Sequence, residues 1–177
     1  MKTTFNAPWG TTLKWTSSLV TIVVLAVSLG IPAPEEIGYF WWPIRLFGPV
    51  LIIGTALYTV RGYEIHDGTL YVQRLLWKTP VPLRGLKAVE YRPGNFGWAW
   101  RTFGNGGLFS FSGWYFQTGL GSFRALATQL TNAVILQFND RKPIVVTPET
   151  PETFAQSIRE AAMKLKPTIN SEPAQDG

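Results

Sequence analysis

The chain has 177 residues, 46% hydrophobic and only 15% charged, with a net charge of +5, one histidine and no cysteine. The absence of cysteine excludes disulfides, thiolate metal sites and cysteine nucleophiles, and one histidine alone cannot build a tetrahedral metal site. The positive balance is small and accompanies no nucleic-acid motif, so nucleic acid is not an expected partner.

Residues 1–14 read as a cytoplasmic N-terminal segment carrying Lys2 and Lys14 and no acid. Residues 15–34 carry no charge, and residues 37–60 carry only Arg45. Each run is close to the ~20 apolar residues that cross a ~30 Å hydrocarbon layer, so 15–60 is expected to be a transmembrane hairpin crossing over about 15–34 and 41–60. Lys2 and Lys14 before the first run, and Glu35 and Glu36 between the two, put the N-terminus in the cytoplasm by the positive-inside rule. Two crossings return the chain there, which predicts a multi-pass protein of the cell (inner) membrane with both termini cytoplasmic. Tyr39, Phe40, Trp41 and Trp42 would form the outer aromatic belt, and Trp9 and Trp15 the inner one. Arg45, just inside the outer belt, is expected to lift its guanidinium to the headgroups or towards Glu35 and Glu36. A cleavable signal peptide is the competing reading of residues 1–33, but Pro34 would follow the cut and the uncharged run is long for a signal core.

After Arg61 the character changes. Two β-prone runs flank Asp67-Gly68, a two-residue hairpin signal because both turn positions need positive φ. Pro80 and Pro82 interrupt the pattern, and a strand resumes over Leu83–Tyr91. Residues 94–107 read as a long glycine- and aromatic-rich loop containing Trp98, Trp100 and Phe103. Further strands are expected over 108–117, 123–128, 133–138 and 143–147, seven in all. Thr150-Pro-Glu-Thr-Phe154 reads as a helix start, with Thr150 as N-cap and Pro151 in the first turn. Phe154, Ile158, Ala161, Ala162 and Leu165 share one face of the helix. The polar residues 167–177 are expected to be a disordered tail.

Tyr63-Glu-Ile-His-Asp-Gly-Thr-Leu-Tyr-Val, Pro82-Leu-Arg-Gly-Leu-Lys-Ala-Val, Gly106-Gly-Leu-Phe-Ser-Phe-Ser-Gly and Ile144-Val-Val-Thr-Pro-Glu-Thr-Pro-Glu-Thr-Phe154 follow one another over residues 61–166. Together they resemble the bacterial pleckstrin-homology (PH) domain families found beside paired membrane helices. The resemblance implies a two-helix transmembrane hairpin followed by an all-β PH-like barrel of about seven strands, capped by one C-terminal α-helix. It implies no phosphoinositide site, because the first hairpin loop is only Asp67-Gly68 beside His66.

No catalytic constellation is present. Ser110 and Ser112 lack a nucleophile elbow, the carboxylates are scattered, and Gly104–Gly107 lacks both the lysine and the following helix of a phosphate loop. No cofactor is expected. Arg74, Lys78, Arg84, Lys87 and Arg92 collect on the first half of the domain, opposed only by Glu90. They are either solvated edges or contacts to anionic lipid. Trp98 and Trp100, with Phe96 and Phe103, are open to insertion in the interface or to packing on a membrane or cytoplasmic protein. The expected role is a non-catalytic interaction or regulatory module at the cytoplasmic membrane surface. The rival is a lipid-handling protein that binds an anionic headgroup or an acyl chain.

Overall fold

The computed structural model describes residues 2–30, 32, 41–95, 99–129 and 131–165. The two apolar runs form helices α1 (Thr11–Gly30) and α2 (Trp41–Leu57). α1 is long and apolar enough to cross a membrane; α2, with 17 residues, is a shorter apolar helix of ~26 Å. They pack against each other where Gly48 meets α1: a Cβ there would stand 2.6 Å from Val24 Cγ1 and 3.1 Å from Ser28 Oγ. A small residue at that point is what lets two membrane-type helices approach closely. Arg45 reaches across to the last turn of α1. Its Nη2 donates to the Leu29 carbonyl at 3.0 Å, satisfying one of the carbonyls that the last turn of α1 leaves without an intrahelical partner. Glu35 and Glu36, its expected partners, lie outside the described residues.

The N-terminal segment is not a plain tail. Strand β1 (Thr3–Asn6) pairs antiparallel with β2 (Gly62–His66), Thr3 opposite Ile65 and Asn6 opposite Gly62. Phe5 is buried, and the Ala7 amide donates to the Arg61 carbonyl at 3.1 Å. The start of α1 and the end of α2 are therefore held together at one end of the domain. No tether intervenes, for Val60 is fully buried and the Arg61 amide donates to Gln73 at 2.8 Å.

β2 and β3 (Thr69–Gln73) form the expected hairpin, with Asp67 and Gly68 at φ 46° and 65°. β4 (Lys78–Pro82) was not expected, because its prolines read as a break. It forms because it is the edge of a four-stranded sheet ordered β1-β2-β3-β4, where a missing outward N–H costs no ladder bond. The second sheet has the order β5-β9-β10-β8-β7-β6, built from β5 (Leu86–Asn95), β6 (Trp100–Gly106), β7 (Phe111–Gln117), β8 (Gly121–Ala127), β9 (Thr131–Phe138) and β10 (Ile144–Val146). Its β8–β10 pair is parallel and the others are antiparallel. The expected loop over 94–107 is thus corrected: much of it is β6. Gly104 lies opposite Gly113, and a Cβ on Gly113 would fall 2.2 Å from the Phe103 carbonyl oxygen. The glycines that suggested a loop permit this close strand pair instead.

Ten strands among the described residues replace the seven expected, and the barrel is a two-sheet sandwich. Tyr63, Leu70 and Val72 from one sheet meet Leu126, Val134, Leu136 and Val146 from the other in one core. α3 (Pro151–Met163) closes it with Phe154, Ala155 and Ile158. Phe154 is fully buried, edge-on to Phe5 at 5.1 Å and to Tyr63 at 5.6 Å. Thr150 is at the N-cap position but makes no side-chain cap bond. The Tyr63 hydroxyl donates to the Leu126 carbonyl at 2.7 Å and accepts from the Thr147 amide at 3.1 Å, tying the sheets together. Burial pushes its pKa up to about 12.

Candidate interaction surface

The structure does not gather the five expected cations into one patch. Arg74 is 7% exposed, because it is spent inside the protein. Its Nη1 donates to the Tyr58 carbonyl just past α2, and its Nε donates to Thr79 Oγ1 at 2.9 Å. Burial, and the charge of Arg124 after it, lower the pKa of Arg74. Lys78 Nζ lies 2.7 Å from Glu64, which Lys2 also approaches at 3.3 Å. The Lys78 bond is the main cause that holds the Glu64 carboxyl down at about 2, against a desolvation that opposes it. Arg92 pairs with Glu90 at 2.7 Å. Arg84 and Lys87 line a groove with Ala162 and Met163 of α3. Trp98 lies outside the described residues, and Trp100 is 72% exposed on β6.

The end of the domain nearest the helices is tightly joined to them. Leu13 of α1 packs with Phe111 and Ala127, the Phe109 amide donates to Ser17 Oγ at 2.8 Å, and Ser110 Oγ donates to the Tyr58 carbonyl. Trp9, expected in the inner belt, packs against Phe109 at 6.1 Å, whereas Trp15 is exposed.

What the sheet register brings together is a different surface. Trp100 pairs with Phe116 and Phe103 with Trp114 across β6 and β7. Directly opposite residues share a face, so the four rings stand on one side of the sheet. All four are exposed, Phe103 by 77%. Arg124 is opposite Trp114 on the same face, and Lys142 Nζ lies 5.2 Å from the Trp114 ring centroid. Arg141 adds a third cation to the cleft between Pro80 of β4 and Trp114, with its guanidinium 3.8 Å from the Phe138 ring centroid. β6 is an edge strand, with one neighbour only among the described residues. Of this surface the sequence signalled Trp100 and Phe103; that Arg124 stands beside Trp114 is revealed by the β7–β8 register alone.

Residues 61–162 match the family model described as Bacterial PH domain. The chain belongs to that family. No curated protein and no solved structure matches it significantly. In this bacterial PH domain the two sheets and α3 share a core of buried apolar side chains, and among the described residues no three of His, Asp or Glu come together as a metal ion would require.

Proposed function

We propose that this bacterial PH domain is a non-catalytic interaction module anchored at the cytoplasmic face of the inner membrane by α1 and α2. In this reading both helices cross as a hairpin, both termini are cytoplasmic, and the β6–β7 face docks a partner protein. The observation that carries it is the exposed row of Trp100, Phe103, Trp114 and Phe116 on a sheet edge, outside the buried core of the sandwich. An open edge strand offers backbone groups to an added strand, and the aromatic rings offer apolar area. Arg124, Arg141 and Lys142 at the rim favour a partner segment carrying acidic residues. The anchor is supported by the apolar surfaces of the helices: Leu19, Ile22, Leu29, Phe47, Val50 and Ile53 each expose more than half their area, which water would not tolerate in so large a patch.

A second reading, lipid handling, has one observation in its favour. An apolar groove on α2 lined by Phe47, Leu51, Gly54 and Tyr58 leads towards the domain, and the cationic rim fits an anionic headgroup. Lys78, Arg84, Lys87 and Arg92 would then add weaker contacts to anionic lipid. A photo-crosslinking residue at Phe103 in native membranes separates the readings. A discrete protein adduct, absent when the probe is at Tyr71 of β3, is expected. Adducts to lipid alone would replace the first reading by the second.

A further inference from the structure

Between β3 and β4 the chain reverses through Arg74, Leu75, Leu76 and Trp77. The turn is closed by the Arg74 amide donating to the Trp77 carbonyl at 2.9 Å. Reversals in water are usually made by Gly, Asn, Asp, Ser or Pro, yet this one carries three large apolar side chains. Leu76 is 73% exposed, Leu75 46% and Trp77 38%. The charge that could have kept the tip wet is withdrawn, since the Arg74 guanidinium turns inward to Tyr58 and Thr79.

The place of this turn says what covers it. The Trp77 ring stands edge-on to Tyr58 at 5.1 Å, and Tyr58 directly follows the last residue of α2. Tyr58 is itself exposed, as are Leu51, Val50 and Phe47 further along the same helix. The apolar surface of the helix therefore continues, with Tyr58 and Trp77 as its border, onto the tip of the turn. Tyr and Trp at such a border are the residues that settle at the level of lipid headgroups.

We infer that the β3–β4 turn is a third membrane anchor, with Leu75, Leu76 and Trp77 entering the leaflet from which α2 emerges. The inference rests on the membrane-anchored reading above and adds to it a fixed orientation. Two helix ends and one inserted turn define a plane, so the domain cannot swing about the hairpin.

The absence of cysteine makes the test direct, because single cysteines can be introduced without removing native ones. Full-length Leu76→Cys, labelled with an environment-sensitive fluorophore, is reconstituted in vesicles of phosphatidylcholine and phosphatidylglycerol containing spin-labelled lipids. Leu25→Cys, at the middle of the uncharged run 15–34, reports the hairpin, and Asp140→Cys, in the turn between β9 and β10, reports the aqueous side. Emission at Leu76 should be blue-shifted relative to Asp140, and quenched more by shallow than by deep spin labels, with Leu25 quenched more by the deep ones. Leu76 matching Asp140 while Leu25 is quenched would overturn the third anchor and leave the hairpin intact. Leu25 matching Asp140 would overturn the anchored reading and this inference with it.

Discussion

Phe5 offers the sharpest test of the fold, because it belongs to a segment that sequence reasoning assigned to the N-terminal cytoplasmic stretch. It is 8% exposed and packs edge-on against Phe154, which is fully buried on the inner face of α3. A buried Phe→Ala change costs about 3 to 5 kcal/mol, and an edge-strand position that can partly relax belongs near the lower figure. Phe5→Ala should therefore cost about 3 kcal/mol, and Phe154→Ala about 4 kcal/mol. The two rings touch, so the double variant should fall short of additivity by about 1 kcal/mol, as aromatic pairs do in double-mutant cycles. Urea unfolding of the full-length protein in detergent micelles, followed by near-ultraviolet circular dichroism, reads the domain while micelles protect the helices. A loss below about 1 kcal/mol for Phe5→Ala would show that β1 is not docked. The same small loss for Phe154→Ala would make α3 peripheral. Strict additivity would refute the contact itself.

Tyr63→Phe should destabilise by about 1 to 3 kcal/mol in the same assay, because the Leu126 carbonyl and the Thr147 amide would each lose a buried partner. Glu64, with its folded pKa at about 2 against an ordinary value of 4.5, contributes stability that is present above the ordinary value and lost as pH falls through the folded one. Unfolding midpoints should drop between pH 4.5 and about 2, and Glu64→Gln should flatten that part of the profile; an unchanged slope would deny the pairing with Lys78 and Lys2. Gly113→Ala should drive a methyl into the Phe103 carbonyl and separate β6 from β7. Hydrogen exchange should then quicken in β6 with β2 and β9 still protected, and uniform protection would contradict the close strand pair.

Several features were legible in the sequence because their signals are local. A long apolar run with hardly a charge makes a helix wherever its side chains can be covered, so α1 and α2 could be read within a few residues of their ends. Asp67-Gly68 specifies its own reversal through backbone conformation, and the spacing of Phe154 and Ile158 specifies which face of α3 is buried. The ordered segments from Tyr63 to Phe154 carried the family resemblance that the match over residues 61–162 bears out for the domain. What the tertiary structure decided depends on partners distant along the chain. Four residues from Thr3 to Asn6 are a strand only because β2 supplies their ladder from some sixty residues away, a pairing that no local periodicity encodes. Pro80 and Pro82 are tolerated because β4 lies at an edge, and edge status is a property of the sheet rather than of the segment. Arg74 and Lys78 looked like free charges until the fold placed the Tyr58 carbonyl and the Glu64 carboxylate beside them. Trp100 and Phe103 were visible as aromatic residues, but only the β6–β7 register sets them on one face with Phe116 and Trp114, and only the β7–β8 register puts Arg124 beside them. A slip of one residue in either ladder would turn those side chains to the other face, which is why the surface is decided by pairing and not by composition.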